Sequence, residues 1–387
     1  MRKTSSTLVT IVVLLFALGI VMLASASSVR GVASVHDPHF FLKKQLVWLF
    51  LSLVIGTIVA LFDYHWWQEV ALPVAIVSLC LLAVVLIPGI GMQVGGSRRW
   101  LHLGPLSLQP SELMKFGAIV ALVSWAVYAG RRMDSFKEGI ALPLGGLGIV
   151  LLMMILEPDF GTTLLTGMVG MLILFAAGSR FSYLCGIGLL GGCGFMAAVM
   201  SNPVRRGRVL AFLMPDQFPA TAYHLAQSKI AFIKGGLLGV GLGNSMQKQF
   251  YLPEAHNDFI LAIIGEELGF VGTFCVLALF AGILVCGLII WSKAPDPLGR
   301  FLAFGMTMMI TLQAAINMGV VTGCLPTKGL PLPFISYGGS SLMASTACVA
   351  VLLNVALHGE ESRLDDHTRA IRNKRHRFGL HPRPASV

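Results

Sequence analysis

The run GTFCVLALFAGILVCGLIIW at residues 272–291 holds no charged side chain. A helix rises about 1.5 Å per residue, so about 20 such residues cross a hydrocarbon core of about 30 Å. The run is continuously apolar rather than alternating, which favours a helix over a barrel strand. Comparable runs recur at 7–26, 45–62, 71–88, 111–129, 141–156, 163–178, 184–200, 301–322 and 340–357. The chain is therefore expected to be all-α: a polytopic membrane protein of about ten transmembrane helices. A large structured extracytoplasmic loop is expected at about 201–257.

Composition agrees. Of 387 residues, 56% are hydrophobic and only 12% charged, against about 25% charged in soluble domains. Most of the surface must therefore face something other than water. An even number of spans puts both termini on one side, and the Lys and Arg distribution makes that side the cytoplasm. Net charge is +10, and seven of the 28 Lys and Arg lie between Arg363 and Arg383. The chain divides into a membrane domain, 1–357, and a basic cytoplasmic tail, 358–387, expected beside anionic lipid headgroups. The tail is short and no folded basic domain carries it, so no nucleic-acid partner is expected. Six of the seven cysteines sit in apolar runs and none forms a C-x-x-C pair, so they read as small packing residues. Arg2, Lys3 and the apolar stretch from Leu8 to Met22 imitate a secretory signal, but the stretch is long and reads as an uncleaved first helix. Basic residues on the outer face would suit an anionic ligand there.

Polar groups cluster at a few places. In Tyr251-Leu-Pro-Glu-Ala-His-Asn-Asp258, Pro253 excludes a continuous helix, and Asn257 or Asp258 stands where a helix would start. An N-cap explains one acid there. It does not explain Glu254, His256 and Asp258 together, and a partly desolvated carboxylate at a membrane surface can act as a general base. Glu112 and Lys115, spaced i, i+3, share a helix face inside a span: a structural ion pair, or a ligand contact in a polar cavity. Glu157 and Asp159 flank Pro158 at a helix end and suit a cation, an arginine or a plain turn. Glu266 and Glu267 would face a cavity or pair with an arginine.

Two further loops stand out. Residues 89–110 hold Gly95, Gly96, Arg98, Arg99 and Trp100; residues 201–257 hold the arginines of 205–208, then Gln227 and Ser228, then the glycines of 235–243. The glycine series lacks Walker or Rossmann spacing and reads as close backbone packing. A proline- and glycine-rich segment, 325–341, contains Lys328 and Ser336 just before the last span.

Several of these segments, in order, resemble the SEDS family of bacterial cell-wall polymerases, whose branches are FtsW and RodA. They are Gly-Ser-Arg-Arg-Trp at 96–100, Gln-Pro-Ser-Glu-Leu-x-Lys at 109–115, Glu-Pro-Asp-x-Gly-Thr at 157–162, Tyr-Leu-Pro-Glu-Ala-His-x-Asp-Phe at 251–259, Gly-Glu-Glu-Leu-Gly at 265–269 and Gly-Leu-Pro-Leu-Pro-Phe-Ile-Ser-Tyr-Gly-Gly-Ser-Ser at 329–341. The resemblance runs from about residue 7 to 357. Asn317-Met-Gly-Val and Leu-Pro-Thr-Lys-Gly at 325–329 look like the division branch, FtsW. Pro331 looks more like RodA, Asn257 replaces a common Thr, and Phe250 stands where some relatives carry an acid.

What the resemblance implies is a peptidoglycan glycosyltransferase in the bacterial inner membrane, acting at the septum on lipid II, an undecaprenyl-diphosphate-linked disaccharide-peptide. Asp258 matches the family's essential extracytoplasmic acid. Its implied role is to deprotonate the acceptor 4-hydroxyl, which attacks the anomeric carbon with inversion. Substrate contacts are expected among Arg98, Arg99, Glu112, Lys115, Glu157, Asp159, Gln227, Ser228, Glu254, His256, Lys328 and Ser336. A divalent cation, Mg²⁺ or Mn²⁺, suits diphosphate chemistry. The implied partners are a class B penicillin-binding protein transpeptidase, other divisome proteins and membrane lipid. A lipid II flippase and a non-catalytic scaffold for the transpeptidase are the alternatives.

Overall fold

The computed structural model describes residues 1–94, 97–104 and 106–377. Gly95, Gly96 and the end of the basic tail, 378–387, lie outside the described residues. The expected helices form. They are α1 (Arg2–Val35), α2 (Phe40–Leu61), α3 (Trp66–Leu86), α4 (Pro110–Ala129), α5 (Leu142–Leu156), α6 (Phe160–Ala176), α7 (Phe181–Met200), α8 (Pro203–Leu213), α9 (Pro219–Gly235), α10 (Ile260–Lys293), α11 (Pro297–Val321) and α12 (Gly339–Arg377). Among the described residues nine helical segments are long and apolar enough to cross a membrane, and the shorter α6 is the tenth expected span.

Sequence explains the helix starts. Proline stands at the first helical position of α4, α8, α9 and α11, where a missing N–H does no harm. Asn202 caps α8 by accepting from Val204 N at 3.1 Å, and Asp296 caps α11 by accepting from Gly299 N at 2.7 Å. The innermost helices are α4, α11 and α12; α7 is the most exposed span, its apolar side chains facing outward as lipid requires. Asn354 of α12 accepts from the buried Tyr64 N at 2.8 Å and donates to Ala60 O at 2.7 Å, fixing the turn between α2 and α3.

The two stretches expected to be structured loops carry elements of their own, and the start of one span needs correcting. Residues 89–110 are not simply a loop: β1 (Gly91–Val94), β2 (Ser97–Leu103) and β3 (Leu106–Leu108) make an antiparallel sheet in the order β1-β2-β3. Strands this short leave too little alternation to read from sequence. The 201–257 stretch carries two helices, α8 and α9. The eighth span begins at Ile260 rather than 272, because the Gly-Glu-Glu-Leu-Gly segment is itself helical up to a break at Gly269 (φ 68°).

That break explains the glycine series. A Cβ on Gly239 would lie 2.1 Å from Glu267 O, and Gly239 itself has φ 80°, so only glycine fits. The close approach lets Val240 N and Gly241 N donate to the carbonyls of Glu266 and Glu267 at 2.9 and 3.0 Å. The Glu266 carboxylate accepts from Ser245 Oγ, Met246 N and Gln247 N. Glu267 pairs with Lys248 at 3.1 Å, not with an arginine, and accepts from Ser25 Oγ of α1 at 2.6 Å. Both acids therefore anchor the loop that leads toward Asp258.

Candidate active site

Pro253 and a left-handed Glu254 (φ 54°) turn the chain after Tyr251. Three consecutive carbonyls of that turn are then held by donors from later in the chain. His256 O accepts from Tyr337 N at 3.1 Å, Asn257 O from Ser336 Oγ at 2.7 Å, and Asp258 O from Asn317 Nδ2 at 2.8 Å. Asn317 also donates to Leu330 O at 2.7 Å, and Gln313, one turn earlier on α11, donates to Pro331 O at 2.9 Å. The proline-rich segment 325–338 is thus a strap, pinned to α11 and pinning the turn in its place.

The N-cap reading of this turn fails. Phe259 occupies the N-cap of α10 without a side-chain bond, so Asp258 stands one residue outside. Its carboxyl packs against the strap: a Cβ on Gly329 would lie 3.0 Å from Oδ2. Burial, reinforced by the charge of Glu254, pushes the Asp258 carboxyl up to about 7; Arg208 and Arg99 pull it down and Asp159 pushes it up. A carboxylate poised near neutral pH is suited to proton abstraction.

The neighbouring groups divide the work. Burial works upward on Glu254, but Arg30 at 2.9 Å, joined by the hydrogen bond from the Asn257 amide, holds its carboxyl below the usual range. Burial pushes His256 down to about 4, with Arg30 acting the same way. Its ring is therefore neutral, and it packs 4.8 Å from Phe41. Lys328, its pKa lowered by burial, lies 5.3 Å over Phe195 of α7; Arg205 lies 3.8 Å over Phe160 of α6. Phe160 and Phe195 are themselves in contact at 5.6 Å. Two cations and two rings therefore join α6, α7, α8 and the strap.

Asp159 caps α6 through Thr162 N and also accepts from Gln109 Nε2 and Ser111 Oγ, at 3.0 and 3.1 Å. Arg99 donates to the carbonyls of Glu157 and Pro158. Burial, then the charge of Asp159, pushes the Glu157 carboxyl up to about 9, so it is neutral at pH 7. Arg98 precedes Arg99 on β2 and pairs with Gln93 of β1, Arg99 being the extra residue of a bulge between Arg98 and Trp100. Among the described residues no three His, Cys, Asp or Glu side chains converge to hold a metal ion, and Asp159 serves as a cap.

Glu112 and Lys115 pair at 2.9 Å, both buried, and Lys115 Nζ donates to Gln313 Oε1 at 2.8 Å. Since Gln313 also holds Pro331, a polar spine runs from this pair to the strap. A small cavity lined by Glu112, Lys115, Gln313 and Cys348 adjoins it. Ser228 donates to Val321 O at 2.6 Å and staples α9 to α11, and Ser336 is occupied in holding the turn. Both hydroxyls position backbone. Gln227 lies half-buried on α9 beside Ser228. Sequence reading passed over Arg30 and Gln313, which show no local pattern. Asn317 was visible only through its motif.

Similarity to known proteins agrees with this geometry. The FtsW/RodA/SpoVE family model, described as "Cell cycle protein", matches residues 5–361. The probable peptidoglycan glycosyltransferase FtsW of Geobacter metallireducens is 43% identical over 343 residues, covering 87% of this chain and 90% of that protein. Stage V sporulation protein E of Bacillus subtilis is 40% identical over 360 residues, covering 92% and 98%. A solved chain described as "Structural coordination of polymerization and crosslinking by a peptidoglycan synthase complex" matches with TM-score 0.74 and 29% identity over 90% of this chain and 96% of that one. The rod shape determining protein RodA of Thermus thermophilus gives TM-score 0.67 and 29% identity, covering 90% and 95%. With its family model matched almost end to end and its fold shared, this chain is a multi-pass membrane protein of the FtsW/RodA/SpoVE family.

Proposed function

We propose that the protein is a peptidoglycan glycosyltransferase that polymerises lipid II into glycan strands for septal wall synthesis. One observation carries the reading: Asp258 holds a partly buried carboxyl, raised to about 7, on a turn fixed at three successive carbonyls. The name of the Geobacter relative, a probable peptidoglycan glycosyltransferase FtsW, supports it and favours the division branch.

Asp258 takes the proton of the acceptor GlcNAc 4-hydroxyl. That oxygen attacks the anomeric carbon of the donor sugar as the bond to the lipid diphosphate breaks. Attack from the opposite face turns the α-linked precursor into a β-linked strand. Charge growing on the departing diphosphate needs preorganised cations, and Arg99, Arg205, Arg208 and Lys328 supply them. A divalent cation carried in on the substrate diphosphate would neutralise part of its charge. The solved complex, described as coordinating polymerization with crosslinking, supports a crosslinking partner; the partner proposed is a class B penicillin-binding transpeptidase, with other divisome proteins beyond it. Both termini face the cytoplasm, where the basic tail lies against anionic lipid.

The test is lipid II polymerisation by the purified protein in liposomes, with and without the transpeptidase, for wild type and Asp258→Ala. Polymer from wild type alone supports the reading. Lipid crossing the bilayer without polymer, unaffected by Asp258→Ala, would establish a flippase. Division sustained in cells by Asp258→Asn would establish a scaffold.

A further inference from the structure

Arg30 stands near the outer end of α1, far in sequence from the turn it touches. Its guanidinium meets Glu254 at 2.9 Å, and the other carboxylate oxygen of Glu254 accepts from Asn257 Nδ2 at 2.7 Å. Glu254 has a left-handed backbone, a conformation that side-chain-bearing residues keep only where the surroundings hold it. Both partners are about two-fifths exposed, 41% and 42%. Ion pairs so open to water contribute little to stability, so folding alone gives a weak reason for this one. Its position gives a stronger reason: Glu254 is the charge that most raises the Asp258 carboxyl after burial itself.

We propose that Arg30 is a positioning residue for the candidate base, clamping Glu254 so that the two carboxylates of one turn stay apart in place and in role. The inference rests on the glycosyltransferase reading above. Other charged groups face Asp258 from α8 (Arg208), β2 (Arg99) and the start of α6 (Asp159). On the turn itself His256 is neutral, and on α9 burial lowers the pKa of His224, which stacks on Phe259. Arg30 is the charge paired with Glu254, alongside the neutral Asn257 amide, and Glu254 in turn acts on Asp258. Removing Arg30 leaves the Glu254 charge uncompensated beside Asp258, whereas removing the Glu254 charge relieves Asp258. The two changes therefore move the base in opposite directions.

The experiment is the pH dependence of lipid II polymerisation by the full-length protein with its transpeptidase. It compares wild type, Arg30→Ala, Arg30→Lys, Glu254→Gln and the double variant Arg30→Ala/Glu254→Gln. Arg30→Ala is expected to move the half-maximal pH up by about half a unit, a loss of about threefold on the acid side. Glu254→Gln moves it down, the double variant follows Glu254→Gln, and Arg30→Lys stays near wild type. Shifts in the same direction, or unmoved midpoints with only kcat or KM reduced, would reduce the pair to an ordinary structural contact. If Arg30→Ala does not fold, Arg30→Gln decides: a raised midpoint that the added Glu254→Gln change reverses upholds the proposal, and an unmoved one overturns it. Polymer formed by Asp258→Ala would overturn the glycosyltransferase base itself, a separate result from any of these.

Discussion

The side-chain amide of Asn317 bridges Asp258 O and Leu330 O, at 2.8 and 2.7 Å. One residue of α11 thus fixes the spacing between the candidate base and the strap. Asn317→Ala strands two carbonyls, at about 1–3 kcal/mol each. Thermal unfolding is expected at lower temperature. A misplacement of about 1 Å can cost about a hundredfold in rate, so polymerisation measured where the variant is still folded should fall by at least about tenfold. A wild-type rate would remove Asn317 from the site.

The Asp258 carboxyl, raised to about 7, makes rate and stability respond to pH in opposite senses. The base works ionised, so polymerisation should rise about tenfold per unit below pH 7 and level off above it. Between the ordinary 3.8 and about 7, the folded protein keeps a proton that the unfolded chain has lost. Stability from this group is therefore lost as pH rises through that window. Asp258→Asn should make no polymer, yet unfold at a higher temperature than wild type at pH 8, with the difference shrinking toward pH 4. Melting curves at the two pH values check the sign.

Gly329→Ala tests the close approach of the strap. Its Cβ would fall 3.0 Å from Asp258 Oδ2, a distance that forces the carboxyl to move. The expected outcome is a fall in kcat of about tenfold or more, with a melting temperature near wild type. A normal kcat would show that the carboxyl has room to shift without harm.

Glu112 and Lys115 distinguish lock from ligand contact. Glu112→Ala leaves a buried, uncompensated ammonium and should destabilise by about 3–5 kcal/mol. The double variant Glu112→Gln/Lys115→Met removes both charges and should fold again. If the cavity beside the pair receives substrate, that refolded variant still polymerises poorly; a normal rate would make the pair a structural lock alone.

The bundle was legible in the sequence because lipid imposes a length and a composition on every span, and runs such as 272–291 meet both. The candidate base was legible because Pro253 and three polar groups interrupt the apolar pattern. What stayed hidden is what holds them. Arg30 reaches Glu254, and Tyr337 N reaches His256 O, by contacts that no local periodicity encodes. The start of α10 was misplaced because Glu266 and Glu267 look like loop residues until Ser245, Lys248 and the loop amides satisfy them. The capping role of Asp159 is hidden among a cation site, an arginine partner and a plain turn because it depends on Thr162 N being at hand, which only the folded helix decides.

The donors that fix Asp258 and Asn257 lie 59 and 79 residues further along the chain. During synthesis, a polypeptide that has inserted its helices only as far as α10 already carries its acid but none of these donors. The strap reaches its place only once α11 and α12 flank it. The geometry of the turn is therefore complete only when the membrane domain is, and a product cut short after α10 would carry its acid on an unheld turn.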